Sequence, residues 1–272
     1  MTSVPPDLSA LKAKMRESWM AGDFGVIARY AEAAEEDFVR RLALSSGVRV
    51  LDVACGTGNT AIPAAKAGAN VTGVDIAPNL LEQARQRAHD AGVSADFREG
   101  DAEHLDFPDN SFDVIISVFG AMFAPRPERV AAELLRVCRS GGTIAMGNWT
   151  PTGFVGKMFA LSAKHAPPPP GVPPPSLWGD EPTVRQRFGA GARDVQCRKY
   201  SCDFTYPFPP TKVVELFRQY FGPTKTAFAR LDAAGQKAMA EDMERTWTEN
   251  NQATDGTTNI PGEYLEVRVT PR

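Results

Sequence analysis

The sequence is poor in several things that would decide its class at once. No apolar run approaches the ~20 residues that span a bilayer, so no membrane contact is expected. Met1 to Met15 lacks the basic-then-apolar order of a secretory signal. Charge of one sign is scarce: 30 Lys and Arg stand against 33 Asp and Glu, a formal net charge of −3. With no basic excess and no Lys/Arg run, no nucleic-acid partner is expected. There are four cysteines, Cys55, Cys138, Cys197 and Cys202, and none forms a C-x-x-C pair. Three histidines give no metal-ligand spacing, so no metal is expected. Free thiols of this kind fit a reducing cytoplasm better than a disulfide framework.

What is present is an ordinary globular composition, 43% hydrophobic over 272 residues. Strand-like and helix-like runs alternate through its first two thirds. Val48 to Val53, Asn70 to Asp75, Ala95 to Glu99, Phe112 to Val118 and Gly142 to Asn148 read as strands. Asn59 to Ala67, Pro78 to Ala91 and Pro127 to Arg139 read as the helices between them. That alternation implies an α/β, doubly wound, mostly parallel sheet with helices on both faces. Leu8 to Leu44 reads as helices broken at Gly22 to Gly25. After the fifth strand comes a helical pattern, Gly153 to Lys164. Ala166 to Ser176 follows, with seven prolines, and cannot be a helix. A strand at Arg198 to Tyr206, helices at Thr211 to Phe221 and Leu231 to Asn250, and an alternating strand at Glu263 to Thr270 complete the chain. The division expected is one domain: N-terminal helices (1–46), a ligand-binding core (47–150), an insert (151–195) and a tail completing the sheet (196–272).

The most informative stretch is Val50 to Ala61, a buried strand, a tight turn with Gly56 and Gly58, and a helix start. Glycine permits positive φ and close approach of backbone to ligand. A packing-only βα turn explains such a match in part of all cases, so the surrounding acids decide. Asp52 lies four residues before Gly56, where it would repel a pyrophosphate but suit a cationic ligand. Asp75 ends the second strand, 19 residues after Gly56, at the spacing of an acid that bonds ribose hydroxyls. Asp101 follows the third strand and can accept from an exocyclic amine. All three sit at the carboxyl ends of successive strands, where open α/β sheets bind ligands.

With these residues in hand, the chain resembles class I S-adenosylmethionine (SAM)-dependent methyltransferases. The likeness is to the small-molecule group that includes the ubiquinone/menaquinone-biosynthesis C-methyltransferases. VLDVACGTGN (Val50 to Asn59), VTGVDIAPNLLEQAR (Val71 to Arg85), EGDAEHLDFPDNSFDVIIS (Glu99 to Ser117) and ELLRVCRSGGTIAMGNW (Glu133 to Trp149) carry it. Ser140 departs from the family's usual proline. FGAMFAPRPERV, LWGDEPTVRQRFG and GEYLEVRVT are similar to stretches of uncharacterised bacterial methyltransferases. The resemblance implies a Rossmann-like seven-stranded sheet with an antiparallel last strand. It implies SAM as cofactor, held by Asp52, Ala54, Gly56, Thr57 and Gly58, with Asp75 and Ile76 on the ribose. Asp101 and Ala102 would face the adenine, and Ser117, Val118 and Phe119 the methionine side.

For the acceptor, Met122, Trp149, Phe154, Met158, His165 and Trp178 are candidate pocket residues, with Ala166 to Trp178 as a lid. The partner expected is a small molecule, met by a monomer or homodimer. His89 and His104 read as surface residues, and no catalytic residue is assigned. Two other readings share the glycine turn: an NAD(P)-dependent oxidoreductase, and a non-catalytic SAM-binding regulatory protein.

Overall fold

A computed structural model describes residues 7–272, so the first six residues of the stretch tested for a signal lie outside it. Seven strands form one sheet: β1 (Arg49–Val53), β2 (Asn70–Asp75), β3 (Asp96–Glu99), β4 (Phe112–Val118), β5 (Cys138–Trp149), β6 (Ala192–Tyr206) and β7 (Thr258–Pro271). Their order is β3-β2-β1-β4-β5-β7-β6. Strands β1 to β5 are parallel, and β7 runs antiparallel between β5 and β6. The sheet is thus the Rossmann-like, seven-stranded arrangement that the motifs imply. The antiparallel strand comes last in sequence but lies one place in from the edge.

Three of the crossovers are helical. α4 (Ala61–Lys66) joins β1 to β2, α5 (Pro78–Asp90) joins β2 to β3, and α6 (Pro127–Val137) joins β4 to β5. Strand residues Leu51, Val53, Ile115, Ile116, Ile144 and Met146 are fully or almost fully buried, as two-sided covering requires. The order of strands reverses between β1 and β4, since β2 and β3 lie to one side and β5 to the other. Such a reversal opens a crevice beyond the strand tips.

Three helices precede the sheet: α1 (Leu8–Met20), α2 (Phe24–Ala28) and α3 (Glu32–Arg41). Asp7 caps α1 by accepting from the amides of Ser9 and Ala10. Two more follow β5, α7 (Phe154–His165) and α8 (Glu181–Phe188). Three lie between β6 and β7: α9 (Pro210–Tyr220), α10 (Gly222–Ala229) and α11 (Ala233–Asn250).

The differences from the sequence reading have local causes. The helix expected from Asn59 starts at Ala61, because Gly56 and Gly58 hold φ of +52° and +83° and keep the chain in a turn. No helix is expected between Phe221 and Leu231, yet Gly222-Pro223 opens α10, since proline is tolerated in a helix's first turn. The helix expected from Leu231 starts at Ala233, where Asp232 accepts from the Gly235 amide at 2.7 Å. The strand at Arg198 extends back to Ala192, its register with β7 running from Ala192↔Pro271 to Tyr206↔Thr258. The proline run ends in a single tight helical turn, Pro175–Gly179.

Candidate active site

The site is a cavity at the tips of β1, β2 and β4, roofed by the N-terminal helices and by α7, α9, α10 and α11. Its floor is the turn after β1. Ala54 and Gly56 both take positive φ there, +57° and +52°. Phe119, at the tip of neighbouring β4, does the same at +54°. Non-glycine residues in this region carry strain and concentrate at ligand sites. Gly120 cannot be replaced without a collision, because a Cβ would stand 2.5 Å from the Ala54 carbonyl oxygen. Two strand tips therefore meet backbone to backbone at the point of reversal.

Asp75 is fixed between two amides. Its Oδ2 accepts from Gly56 N and its Oδ1 from Ala77 N, both at 2.9 Å. It lines the cavity beside Ile76 and retains lone pairs for a hydroxyl-bearing ligand. Asp101 and Ala102 line the next stretch. The Asp101 carboxylate is held by Glu103 N at 2.9 Å and by Lys12 Nζ from α1 at 2.5 Å. Lys12 also reaches the fully buried Glu103, at 2.6 Å.

The electrostatics of the floor are one-sided. Burial raises the pKa of Asp75. Burial pushes Asp52 up to about 7, against the hydrogen bond from Thr60 that opposes it, and the nearby Asp75 charge adds to the rise. Glu35, on α3, is pushed up to about 8, chiefly by burial. Among the described residues, Lys12 is the only lysine, arginine or histidine lining the cavity, and it is committed to Asp101 and Glu103.

Beyond Phe119 the walls become aromatic. Phe119 stacks on Trp149, ring centroids 3.7 Å apart at 8°. Phe154 meets Trp247 edge-on at 4.6 Å, and Phe204 lies 5.5 Å from Trp149. On the other flank Trp19 packs on Phe123 at 5.1 Å and on Phe221 at 5.7 Å. Met158 and Met243 fill between the rings. The Trp247 indole N–H is buried with no partner.

Of the residues singled out from sequence, Ala54, Gly56, Thr57, Asp75, Ile76, Asp101, Ala102, Val118, Phe119, Trp149, Phe154 and Met158 line this one cavity. Six do not. The Asp52 side chain is buried behind Thr60, whose hydroxyl donates to Oδ2 at 2.5 Å. Gly58 turns toward Ile62 and Ala84. Ser117 donates to the Val53 carbonyl at 2.8 Å and accepts from Ala121 N at 3.0 Å, tying β4 to β1. Met122 is a core residue, 2% exposed. His165 Nε2 lies 2.8 Å from Asp242 Oδ2, which fastens α7 to α11 away from the cavity. Trp178 is buried against Phe188 and under the Arg187 guanidinium.

The proline run contributes no lining residue either; α7 is the part of the insert that covers the site. His89 and His104 are exposed, as expected. Sequence reasoning missed Glu35, Asn59, Phe204, Phe217 and Trp247. The Met239-Met243-Trp247 spacing could have exposed the inner face of α11. Glu35 sits in the acidic stretch 32–37, which looks like a solvated face.

A doubly wound sheet with a strained glycine turn, and a buried acid ending its second strand, is the arrangement of a class I SAM-dependent methyltransferase. The chain belongs to that family. Residues 51–146 match the family model described as a methyltransferase domain. An uncharacterised protein of Mycobacterium tuberculosis is 38% identical over 252 residues, 92% of this chain and 91% of that one. A phosphatidylethanolamine N-methyltransferase of Cereibacter sphaeroides is 39% identical over 104 residues, 38% of this chain and 51% of that one. Among solved structures, the YcgJ protein of a Bacillus species shares the fold with a TM-score of 0.61 at 20% identity, covering 88% of this chain and 99% of that one. Among the described residues no helix is long and apolar enough to cross a membrane, and no group of side chains has metal-site geometry.

Proposed function

We propose that the protein transfers a methyl group from SAM to a small, uncharged, ring-bearing organic acceptor. One observation carries this reading. The acid-floored crevice holding Asp75 runs directly into a chamber walled by aromatic rings, within a single cavity. The chain's own residues fit the cofactor. Asp75 would bond the ribose hydroxyls, while Ile76, Asp101 and Ala102 would bracket the adenine. Ala54, Gly56, Thr57, Val118 and Phe119 would follow the amino-acid arm. When bound, SAM supplies an electrophilic methyl group on a sulfonium.

The walls then have two tasks, alignment of the acceptor with that methyl and exclusion of water. Trp149 and Phe119 offer a flat stacking surface, and Trp247 offers one donor to a polar group on the acceptor. A lining without free cations supports an uncharged acceptor over a phosphorylated one. It also opposes a dinucleotide, because the lining offers a pyrophosphate no free cation and the Gly56 amide is already taken by Asp75 at 2.9 Å.

Titration calorimetry separates the readings. S-adenosylhomocysteine should bind the wild-type protein, and Asp75→Ala should weaken it at least tenfold, about 1.4 kcal/mol. Binding of NADH without binding of S-adenosylhomocysteine would overturn the proposal. Transfer of label from methyl-labelled SAM to naphthol- or quinol-type acceptors would distinguish an enzyme from a cofactor-binding regulator.

A further inference from the structure

We propose that Glu35 is the carboxylate that receives the ammonium of the ligand's amino-acid arm, the part that the motif reading placed on Asp52. The inference rests on SAM being the ligand. The two acids differ in placement. Asp52 is sealed beneath Thr60 and does not line the cavity, whereas Glu35 does. Glu35 is 7% exposed, and its Oε2 has no hydrogen-bond partner. An unsatisfied buried acceptor is costly. Where its open side is a ligand cavity, a ligand donor can complete it.

The protein offers Glu35 no free counter-charge. Arg87, the nearest guanidinium acting on it, is already engaged by the Thr57 carbonyl at 2.8 Å, by Asn59 Oδ1 and by Glu32 at 2.7 Å. Lys12 belongs to the Asp101 end of the cavity. Position then selects the ligand group. Glu35 lines the cavity together with Asn59, which follows the Gly56–Gly58 turn, and so borders the stretch assigned to the amino-acid arm. A primary ammonium, with three donors, can fill the open lone pairs of Glu35 and favours its ionised form, drawing off the proton that burial holds on it.

The test compares two neutral thioethers that differ in the amino-acid arm. S-adenosylhomocysteine has the ammonium; 5′-methylthioadenosine keeps adenine, ribose and sulfur but lacks it. Calorimetric affinities are measured for the wild type, Glu35→Gln and Glu35→Asp. Glu35→Gln should weaken S-adenosylhomocysteine at least tenfold and leave 5′-methylthioadenosine within twofold, which also shows the variant to be folded. Glu35→Asp should recover part of the loss. Unchanged S-adenosylhomocysteine affinity in Glu35→Gln, or equal weakening of both ligands, would overturn the inference. Failure of the wild type to bind either compound would instead bring down the SAM reading, and this inference with it.

Discussion

Glu35 and Asp52 store protons that an unfolded chain would release near pH 4. Glu35 is faced by Asp52 from β1, Glu32 on its own helix, Arg87 from α5, Cys202 from β6 and the Asn59 side chain. Burial outweighs the Asn59 hydrogen bond and the Arg87 charge, and the two acids nearby add to the rise. Both carboxyls therefore bind protons more tightly folded than unfolded. Their contribution to stability is complete below the ordinary carboxyl range. It is lost as pH climbs through about 7 for Asp52 and about 8 for Glu35. The ligand-free protein should melt at a lower temperature at pH 9 than at pH 6. Glu35→Gln should remove part of that slope, raising the pH 9 midpoint by about 2–4 °C, near 1 kcal/mol for a chain of this size. A melting curve whose pH dependence is the same in both proteins would show that Glu35 does not ionise in this window.

The helix placed to cover the cavity mouth is α1, not the proline run. None of its residues is fully buried, yet Lys12, Met15 and Trp19 line the cavity. It is seated at one end by close backbone contact, since a Cβ on Gly222 would stand 1.9 Å from the Ser18 carbonyl oxygen. At the other end it hangs on the Lys12 ion pairs, and weakly buried elements open first. S-adenosylhomocysteine should slow tryptic cutting at Lys12, Lys14 and Arg16 about fivefold or more. Proteinase K cutting within residues 166–174 should not change. Protection of the proline run instead would return the lid to the place that its composition suggests. That contrast shows what local sequence can convey. Strands β1, β2 and β4 were legible because burial on both faces leaves a near-continuous apolar run. The glycine turn was legible because positive φ restricts residue choice. Glu35, Phe204 and Trp247 were not, because a side chain reaching the cavity from α3, β6 or α11 depends on tertiary packing between separate elements, which no local pattern encodes.

Tertiary contacts also join α3 to the last strand. Arg41, ending α3, bonds Glu266 of β7 through Nε at 3.1 Å and through its terminal nitrogen at 2.7 Å, and bonds the Tyr264 hydroxyl at 2.8 Å. Its guanidinium lies 4.0 Å from the centre of the Tyr200 ring on β6. Arg268 closes the ring of contacts, bonding the Arg41 carbonyl at 3.0 Å and Glu266 at 2.7 Å. The Glu266 side chain is 4% exposed, so these are not screened surface pairs. Losing one partner of a buried pair costs about 3–5 kcal/mol when the other is left alone. Arg268 still holds Glu266 here, so Arg41→Ala should cost less, about 2 kcal/mol, or about 4–8 °C in melting temperature. Because α3 also carries Glu35, the substitution should weaken S-adenosylhomocysteine binding without touching the cavity wall. Calorimetry should still show a single unfolding transition. Two separate transitions, or an unchanged midpoint, would mean that the N-terminal helices fold apart from the sheet, and that Glu35 reaches the cavity by a weaker tether than the Arg41 network.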